Sequence, residues 1–267
     1  MQGCILGTTS ASYPSNSNYQ VPWDSETQFG TESFQNGNLI EIPNFAGTET
    51  AEFFFRTVTT AGATSADNTM RIERQSDGEV LADFQTDNPK YGPCAIRTGA
   101  FEVSSGDQFK AIYRSFGTTG ACDLDKTFFG CIINPQDHLL GMAQGTNASA
   151  QNTTSGVVLD WTAVVDTLST HNVSTTDPDL FTAPTDCVAA VCNVAVQTDS
   201  SSSDAELSIR KNGTEVALFK IAAQFRAGWL GAHLIDVTSG DELQFHLTHG
   251  GGNTLNTQTT VTIEWYG

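Results

Sequence analysis

Residues 206–219, ELSIRKNGTEVALF, decide how the second half of this chain folds. Apolar residues alternate with polar ones before Asn212-Gly213, and an apolar run resumes after this dipeptide. Asn-Gly between two such runs is a strong hairpin signal, because a type I′ turn requires positive φ at both central residues. The stretch therefore predicts two antiparallel strands joined at Asn212-Gly213.

The first half of the chain repeats this pattern. Residues 70–84, MRIERQSDGEVLADF, place Gly78 between two apolar runs, 135 positions (213 minus 78) before Gly213. Residues 103–107, VSSGD, recur as residues 237–241, VTSGD, 134 positions (237 minus 103) later. The chain is therefore predicted to contain two copies of one β-domain, related by internal duplication.

The remaining sequence reads as short strands separated by turn signals, without helical periodicity, which is typical of a sandwich or jelly roll. We therefore expect an all-β protein of two tandem jelly-roll β-sandwich domains related by internal duplication. Residues 21–133 and 157–267 are the predicted domains. Residues 1–20 and 134–156 show little periodicity, so the first segment is predicted to be an N-terminal arm and the second a linker.

Composition excludes several classes of function. With 12 basic and 30 acidic residues the formal net charge is −18, and such a field repels nucleic acid. No apolar run approaches the roughly 18 residues of a membrane span. The N-terminal sequence lacks the charged and apolar regions of a signal peptide. We therefore expect a protein made in a host cytoplasm without export, with neither nucleic acid nor membrane as a partner.

The six cysteines do not occupy matched positions in the two repeats. Domains of this size can bury a core without disulfide staples, so buried free thiols are the expectation. A bridge within the first repeat, such as Cys94–Cys122, is the alternative that the sequence leaves open.

Histidine and serine patterns suggest no catalytic centre. His246 and His249 are three residues apart, and on a strand such positions point to opposite faces, which disfavours a metal pair. The sequence contains neither an HExxH motif nor a GxSxG nucleophile elbow. We therefore expect no enzymatic activity and no catalytic, cofactor-binding or metal-binding residues. A jelly-roll hydrolase or lyase is the disfavoured alternative.

The acidic residues leave Ca²⁺ open as a cofactor. Asp123 with Asp125, and Asp236 with Asp241, could hold Ca²⁺ in loops, although neither pair follows the spacing of an EF-hand. The simpler interpretation is that these acids lie in solvated turns. Asp107 and Asp241 follow glycine in the repeated turn, where such side chains usually hydrogen-bond nearby backbone.

Two further groups of residues have a simple interpretation. Trp229 and Trp265 are expected to fill a core or a subunit interface rather than to bind sugar. Four N-x-S/T sequons occur in a chain rich in Asn, Ser and Thr, and without an export signal they are expected to remain unused. These sequons begin at Asn147, Asn152, Asn172 and Asn212.

In the second repeat, three motifs and the final strand resemble the C1q/TNF-like jelly-roll superfamily, and the first repeat does so more faintly. The motifs are residues 181–184, FTAP, before a long strand; residues 207–217 with their Lys-Asn-Gly turn; and residues 237–241 before an alternating strand. Where members often have Gly-Tyr after the proline, this chain has Asp186-Cys187, and it carries no collagen-like stalk.

A tandem, acidic chain of this kind looks most like the jelly-roll structural proteins of tailed phages. The resemblance implies a non-enzymatic virion protein, either a capsid decoration or cement protein or a head-fibre or spike component. Its implied partners are two further copies in a homotrimer and other capsid or appendage proteins. The alternative is a C1q-like or lectin-type module that recognises glycan or protein through the Gly-rich loops 116–123 and 250–258.

Overall fold

The structure, a computed structural model, describes residues 1–8, 12–13, 17–60, 68–86, 93–115, 120–122, 127–146, 157–159, 161, 163–166, 179–197, 205–221, 227–249 and 259–267. The chain folds into two compact units, Met1–His138 and Leu139–Gly267. The regular structure of the described residues is antiparallel β-sheet apart from one short helix, so the predicted all-β class is confirmed. No helix within these ranges is long and apolar enough to cross a membrane.

The first unit is built from two antiparallel sheets. Its elements are β1 (Gln2–Gly7), β2 (Ser12–Tyr13), β3 (Tyr19–Gln20), β4 (Ser25–Gln28), β5 (Gln35–Asn36), β6 (Leu39–Glu41), β7 (Glu49–Thr60), β8 (Asn68–Arg74), β9 (Val80–Thr86), β10 (Pro93–Arg97), β11 (Phe101–Val103), β12 (Gln108–Ser115), β13 (Gly120–Cys122), β14 (Phe128–Ile133) and the one-turn helix α1 (Pro135–His138). One sheet has the order β2-β13-β7-β14-β1-β4, with β10 and β11 also paired to β7. The other has the order β5-β6-β12-β8-β9, with β3 paired to β12.

The core of the first unit lies between these two sheets and is rich in phenylalanine. Phe53 and Phe55 alternate along β7 and are fully buried, in keeping with the two-residue period of a strand. From the facing sheet, Phe109 approaches Phe53 with ring centroids 4.3 Å apart. Trp23 packs edge-on against Phe55 at 6.3 Å. This unit therefore has its own aromatic core.

The second unit repeats the arrangement with two five-stranded sheets. Its strands are β15 (Leu139–Thr146), β16 (Val157–Val158), β17 (Ala163–Asp166), β18 (Phe181–Thr182), β19 (Ala189–Gln197), β20 (Ala205–Lys211), β21 (Thr214–Ile221), β22 (Ala227–Asp236), β23 (Glu242–His249) and β24 (Thr260–Tyr266). The first sheet has the order β17-β15-β24-β19-β22. The second has the order β16-β23-β20-β21, with β18 also paired to β23.

β19, β22 and β24 belong to one sheet and β20, β21 and β23 to the other, so the chain crosses repeatedly between the two sheets, which makes the unit an antiparallel jelly roll. Its core contains side chains from both sheets. Trp161, Phe181 and Phe245 form an aromatic triangle with ring centroids 5.8–6.0 Å apart. Trp161 follows Leu159, whose amide donates to the Phe245 carbonyl, just as Trp23 follows Val21, whose amide donates to the Ala111 carbonyl. The predicted class of two duplicated jelly-roll sandwiches is confirmed.

The two hairpins that revealed the repeat differ at their turns. Asn212 and Gly213 have φ values of 51° and 79°, so the predicted turn with two positive φ values is confirmed in the second unit. In the first unit Gly78 has a φ of 74°, but Asp77 is not among the residues with positive φ. There the Arg74 amide donates to the Glu79 carbonyl at 2.9 Å, which closes a longer turn.

The predicted arm, residues 1–20, is wrong for its first residues. β1 lies between β14 and β4, and Cys4 and Leu6 are fully buried. The predicted linker, residues 134–156, is wrong for residues 139–146, because β15 pairs along most of its length with β24, and residues 147–156 lie outside the described residues. Gly145 of β15 lies so close to Trp161 that a Cβ there would meet the indole ring at 2.8 Å.

The two strands that replace the predicted arm and linker, β1 and β15, occupy equivalent positions in the two units. Each pairs with the last strand of its own unit. Both sequences, QGCILG and LLGMAQGT, contain two glycines, and glycine weakens a strand pattern. These segments form strands partly because each pairs with a partner that is distant in the sequence, and local sequence patterns do not predict such pairing.

The repeated turn allows a test of backbone strain. Gly106 has a φ of 83°, whereas Gly99 has no positive φ, and at both positions a Cβ would meet nothing within 4 Å. We expect Gly106→Ala to lower the free energy of unfolding by about 1–2 kcal/mol, because an L-residue is disfavoured in the left-handed region. Gly99→Ala is the matched control and should be neutral or slightly stabilising. Urea unfolding of both variants measures the difference, and equal stabilities would contradict the assignment of strain.

Candidate functional site

The repeated Ser/Thr-Ser-Gly-Asp turn is held by its own aspartate in both units. The Asp107 carboxylate accepts from the Ser104 amide at 2.9 Å, and the Asp241 carboxylate accepts from the Thr238 amide at 2.8 Å. Each aspartate amide donates back to the carbonyl of the same serine or threonine at 3.0 Å. The prediction that these two acids bind nearby backbone is confirmed.

In the second unit this turn also contacts the Asn-Gly hairpin between β20 and β21. The Asn212 side-chain amide donates to Asp241 at 2.7 Å, and its carbonyl oxygen accepts from the Glu242 amide at 2.8 Å. Burial opposes ionisation of Asp241, but the hydrogen bonds from Asn212 and Thr238 and the charge of Lys211 outweigh it and lower the pKa of Asp241. Asn212 therefore links the hairpin turn to the repeated turn.

Asp236, which the sequence paired with Asp241 as a Ca²⁺ candidate, has a different partner. The Lys211 ammonium donates to the Asp236 carboxylate at 3.2 Å and to its backbone carbonyl at 2.9 Å. Within the described ranges no group of three or more His, Cys, Asp or Glu side chains converges on one point. Asp123 and Asp125, the other Ca²⁺ candidates, lie outside the described residues, as do the sequons at Asn147, Asn152 and Asn172.

The two histidines of the His-Leu-Thr-His motif both belong to β23. His246 lies directly opposite Ser208 on β20, and His249 lies opposite Ala205. Residues three apart occupy alternate faces of a regular strand. The side chain of His249 lies outside the described residues, so the predicted separation of the two histidines stays a prediction. Leu247, next to His246, points into the core, and His246 therefore lies on the outward face of the sheet.

His246 forms part of a small polar patch on that outward face, together with Arg210, Gln244 and Asp179. The Gln244 amide donates to the Asp179 carboxylate at 3.0 Å. Partial burial lowers the pKa of His246, the charge of Arg210 lowers it further, and Asp179 opposes both effects. His246 is therefore held in its neutral form near neutral pH.

This shift predicts a dependence of stability on pH. The unfolded chain binds a proton at His246 near its ordinary pKa of 6.5, whereas the folded chain binds it only at lower pH. The free energy of unfolding should therefore rise as the pH increases up to 6.5, and should fall as the pH decreases through this window. His246→Gln should remove this contribution. Urea unfolding between pH 5 and 8 measures it.

His138→Gln, in the first unit, is the control for the loss of a histidine. It should leave the contribution from His246 in place. Superimposable pH profiles for the wild type and His246→Gln would contradict the inferred direction of the shift.

One partly buried ion pair in the described part of the first unit was not predicted. The Arg97 guanidinium forms a two-pronged ion pair with Glu52, through a contact from Nε and a second from Nη2 at 3.0 Å. The side chain of Glu52 is only 6% exposed. Arg97 also lies over the ring of Phe54, with Cζ 5.5 Å from the centroid. A cation–π contact of this kind adds to the pairing.

The sequence contains a signal for this pair. Glu52 interrupts the apolar run of β7, and Arg97 ends the apolar run of β10. Opposite charges inside two apolar strands suggest that they are buried together, because an isolated buried charge is costly. The pairing register was needed to connect them: Arg97 lies opposite Phe54, two residues from Glu52 on β7.

Arg97→Met should lower the free energy of unfolding by about 2–4 kcal/mol, because it leaves the Glu52 carboxylate buried without its counter-charge. Arg74→Met is the matched control. The side chains of Arg74 and Arg97 are similarly exposed, at 26% and 27%, but Arg74 pairs with Glu79, which is 52% exposed. The control should cost less than about 1 kcal/mol.

A double variant separates loss of the pair from loss of packing. Glu52→Leu combined with Arg97→Met removes both charges, and it should recover most of the stability lost in Arg97→Met. Urea unfolding compares the free energies of unfolding of the wild type, Arg97→Met, Arg74→Met and the double variant. If Arg97→Met costs no more than Arg74→Met, the pair does not hold the first unit together.

Four of the six cysteines have described side chains, and all four are buried free thiols, as predicted: Cys4, Cys131, Cys187 and Cys192. Burial raises the pKa of Cys187 to about 11 and raises the pKa of Cys192 further. Of the two tryptophans weighed as sugar binders, Trp265 is confirmed as a core residue. The side chains of Trp229, Cys94 and Cys122 lie outside the described residues, so the alternative bridge stays a prediction.

No protein-family model matches the chain, and no curated protein matches it. Among solved structures it is similar to murine APRIL, with 16% identity over 50% of this chain and 98% of that chain and a TM-score of 0.38. It is also similar to the insecticidal delta-endotoxin Cry8Ea1 from Bacillus thuringiensis, with 11% identity over 98% of this chain and 52% of that chain and a TM-score of 0.29.

A third similar structure is the N-terminal CBM22-1-CBM22-2 tandem domain of Xyn10C from Paenibacillus barcinonensis, with 12% identity over 96% of this chain and 94% of that chain and a TM-score of 0.24. These similarities concern the fold. The jelly-roll fold is defined by the strand topology of the chain itself. The polar residues that the two repeats share, Asp107 and Asp241, hold turns together.

Proposed function

We propose that this chain is a non-enzymatic structural protein of a virus particle, either a capsid decoration or cement protein or a head-fibre or spike component. It acts by forming a homotrimer and by attaching to other proteins of the capsid or its appendages. The observation that supports the proposal is the use made of the repeated polar residues. The aspartate of the repeated turn is present in both units, as Asp107 in the first and Asp241 in the second, and each binds the backbone of its own turn.

The two units have in common a buried core and an aspartate-held turn, which are the parts of a domain that stabilise its fold. Each unit has a separate core with large aromatic side chains, among them Trp23 in the first and Trp161 in the second. A framework of two stable sandwiches suits a protein whose task is to present and hold surfaces on a particle. The net charge of −18 supports the same interpretation, because mutual repulsion keeps free copies soluble before assembly.

The alternative function is recognition of a glycan or protein ligand through the Gly-rich loops. These loops, residues 116–123 and 250–258, lie almost entirely outside the described residues. The two functions differ in what they require of the isolated protein. A particle protein needs its lattice and its subunit contacts, whereas a binding module should bind its ligand in saturable fashion without any particle.

The first test is the native mass of the purified chain by light scattering and native mass spectrometry. We expect three times 28.5 kDa, the mass of one chain. Dilution into high salt distinguishes a specific trimer, which should persist, from charge-driven association, which salt screens. A monomer under all conditions would contradict the trimer.

The second test asks whether the protein belongs to a particle. Virus particles from a culture that encodes the chain are purified on a density gradient and treated with protease and salt washes. The chain should remain with the particles in a fixed ratio to the major capsid protein. Its absence from purified particles, combined with saturable binding on a glycan array, would overturn the proposal and favour the ligand-binding alternative.

A further inference from the structure

Cys4 and Cys131 face each other inside the first unit. Cys4 lies on β1 and Cys131 on β14, and the pairing register places them directly opposite each other. Both side chains are fully buried, and their Sγ atoms are 3.9 Å apart. The two thiols are 127 residues apart in the chain, so their proximity is a product of the fold alone.

The geometry of this pair is compatible with a covalent bond. Directly opposed residues of antiparallel strands have Cα atoms about 4.5–5.5 Å apart, within the range of about 4.4–6.8 Å that disulfides span. Only the sulfur atoms must move, from 3.9 Å to about 2.05 Å, and rotation about the side-chain bonds supplies that movement. The strands can therefore keep their register.

The second unit lacks this pair. Ala143 on β15 and Ile263 on β24 hold the equivalent positions, directly opposite each other. An alanine and an isoleucine fill that place in a sandwich of the same topology, so the fold does not require thiols there. The thiol pair is therefore particular to the first unit, at the point where its first strand meets its last.

We propose that Cys4 and Cys131 form a cross-strand disulfide when the protein encounters an oxidising small-molecule disulfide such as oxidised glutathione. The two thiols lose two protons and two electrons in two exchange steps, with a mixed disulfide between them, and the small disulfide is reduced to two thiols. The bond would tie β1 to β14 and close a loop that contains nearly the whole first unit. This inference stands apart from the proposed function.

Burial controls when the bond can form. Burial raises the pKa of Cys4 well above its usual range, and the neighbouring Cys131 thiol raises it further. The thiolate is the reactive form, so the native protein should react slowly. The bond should form readily during refolding, before β1 is enclosed between β14 and β4, and should then resist reductants until the unit opens.

The experiment refolds the full chain from denaturant in oxidised glutathione or in a reductant. Intact mass spectrometry and peptide mapping should show one bridge, Cys4–Cys131, in the oxidised sample. The Tm for unfolding of the first unit should rise by something on the order of 10 °C, because the bridge closes a long loop in the unfolded chain. Native protein exposed to the same glutathione should form the bridge far more slowly.

Three variants make the result specific. Cys4→Ala and Cys131→Val follow the small and the β-branched residue at the equivalent positions of the second unit, and each should abolish both the bridge and the Tm shift. Cys187→Ala with Cys192→Ala removes two other buried thiols and should leave both intact. Recovery of Cys4 and Cys131 as free thiols after oxidative refolding would overturn the proposal, as would a bridge of either residue to Cys94 or Cys122.

Discussion

Each unit depends on pairing between its first and its last strand. β1 with β14, and β15 with β24, join segments that are far apart in the sequence and place the last strand between two neighbours. Such non-local pairs bear a loop-closure cost, and burial of the side chains on these strands offsets it. Without β1, the backbone of β14 would lose its partner along that edge, and buried Cys4 and Leu6 would leave the core.

Charge in this protein serves two different purposes. At the turns, Asp107 and Asp241 are anchored to backbone amides, and the hydrogen bonds lower the pKa of Asp241 despite partial burial. Inside the first unit, the Arg97 guanidinium pairs with the nearly buried Glu52 carboxylate. Burying such a pair costs desolvation, so its net contribution to stability is smaller than the cost of breaking it by removing one partner. In the second unit, the residues on either side of the buried Cys192 on β19 are Val191 and Asn193. Neither is charged, so neither forms an ion pair of this kind.

Local patterns predicted those elements whose cause is local. The Asn212-Gly213 hairpin, the alternation in β23 and the turn that ends in Asp241 all follow from residues within a few positions of one another. β1 and β15 were missed because their glycines and small residues carry no periodic signal, and each pairs along one edge with a strand more than 100 residues away. The Glu52–Arg97 pair was missed for a related reason, since sequence shows two charges and only the register brings them together.

The sequence by itself determined the class of the protein: a duplicated, acidic, all-β chain with buried thiols and with turns held by aspartate. It could do so because side-chain alternation, positive-φ glycines and repeats are written in consecutive residues. The tertiary structure alone decided where each unit begins and which side chains meet. Cys4 faces Cys131 and Arg97 pairs with Glu52 because strands distant in sequence share one sheet, and contacts of that kind arise only when the chain has folded.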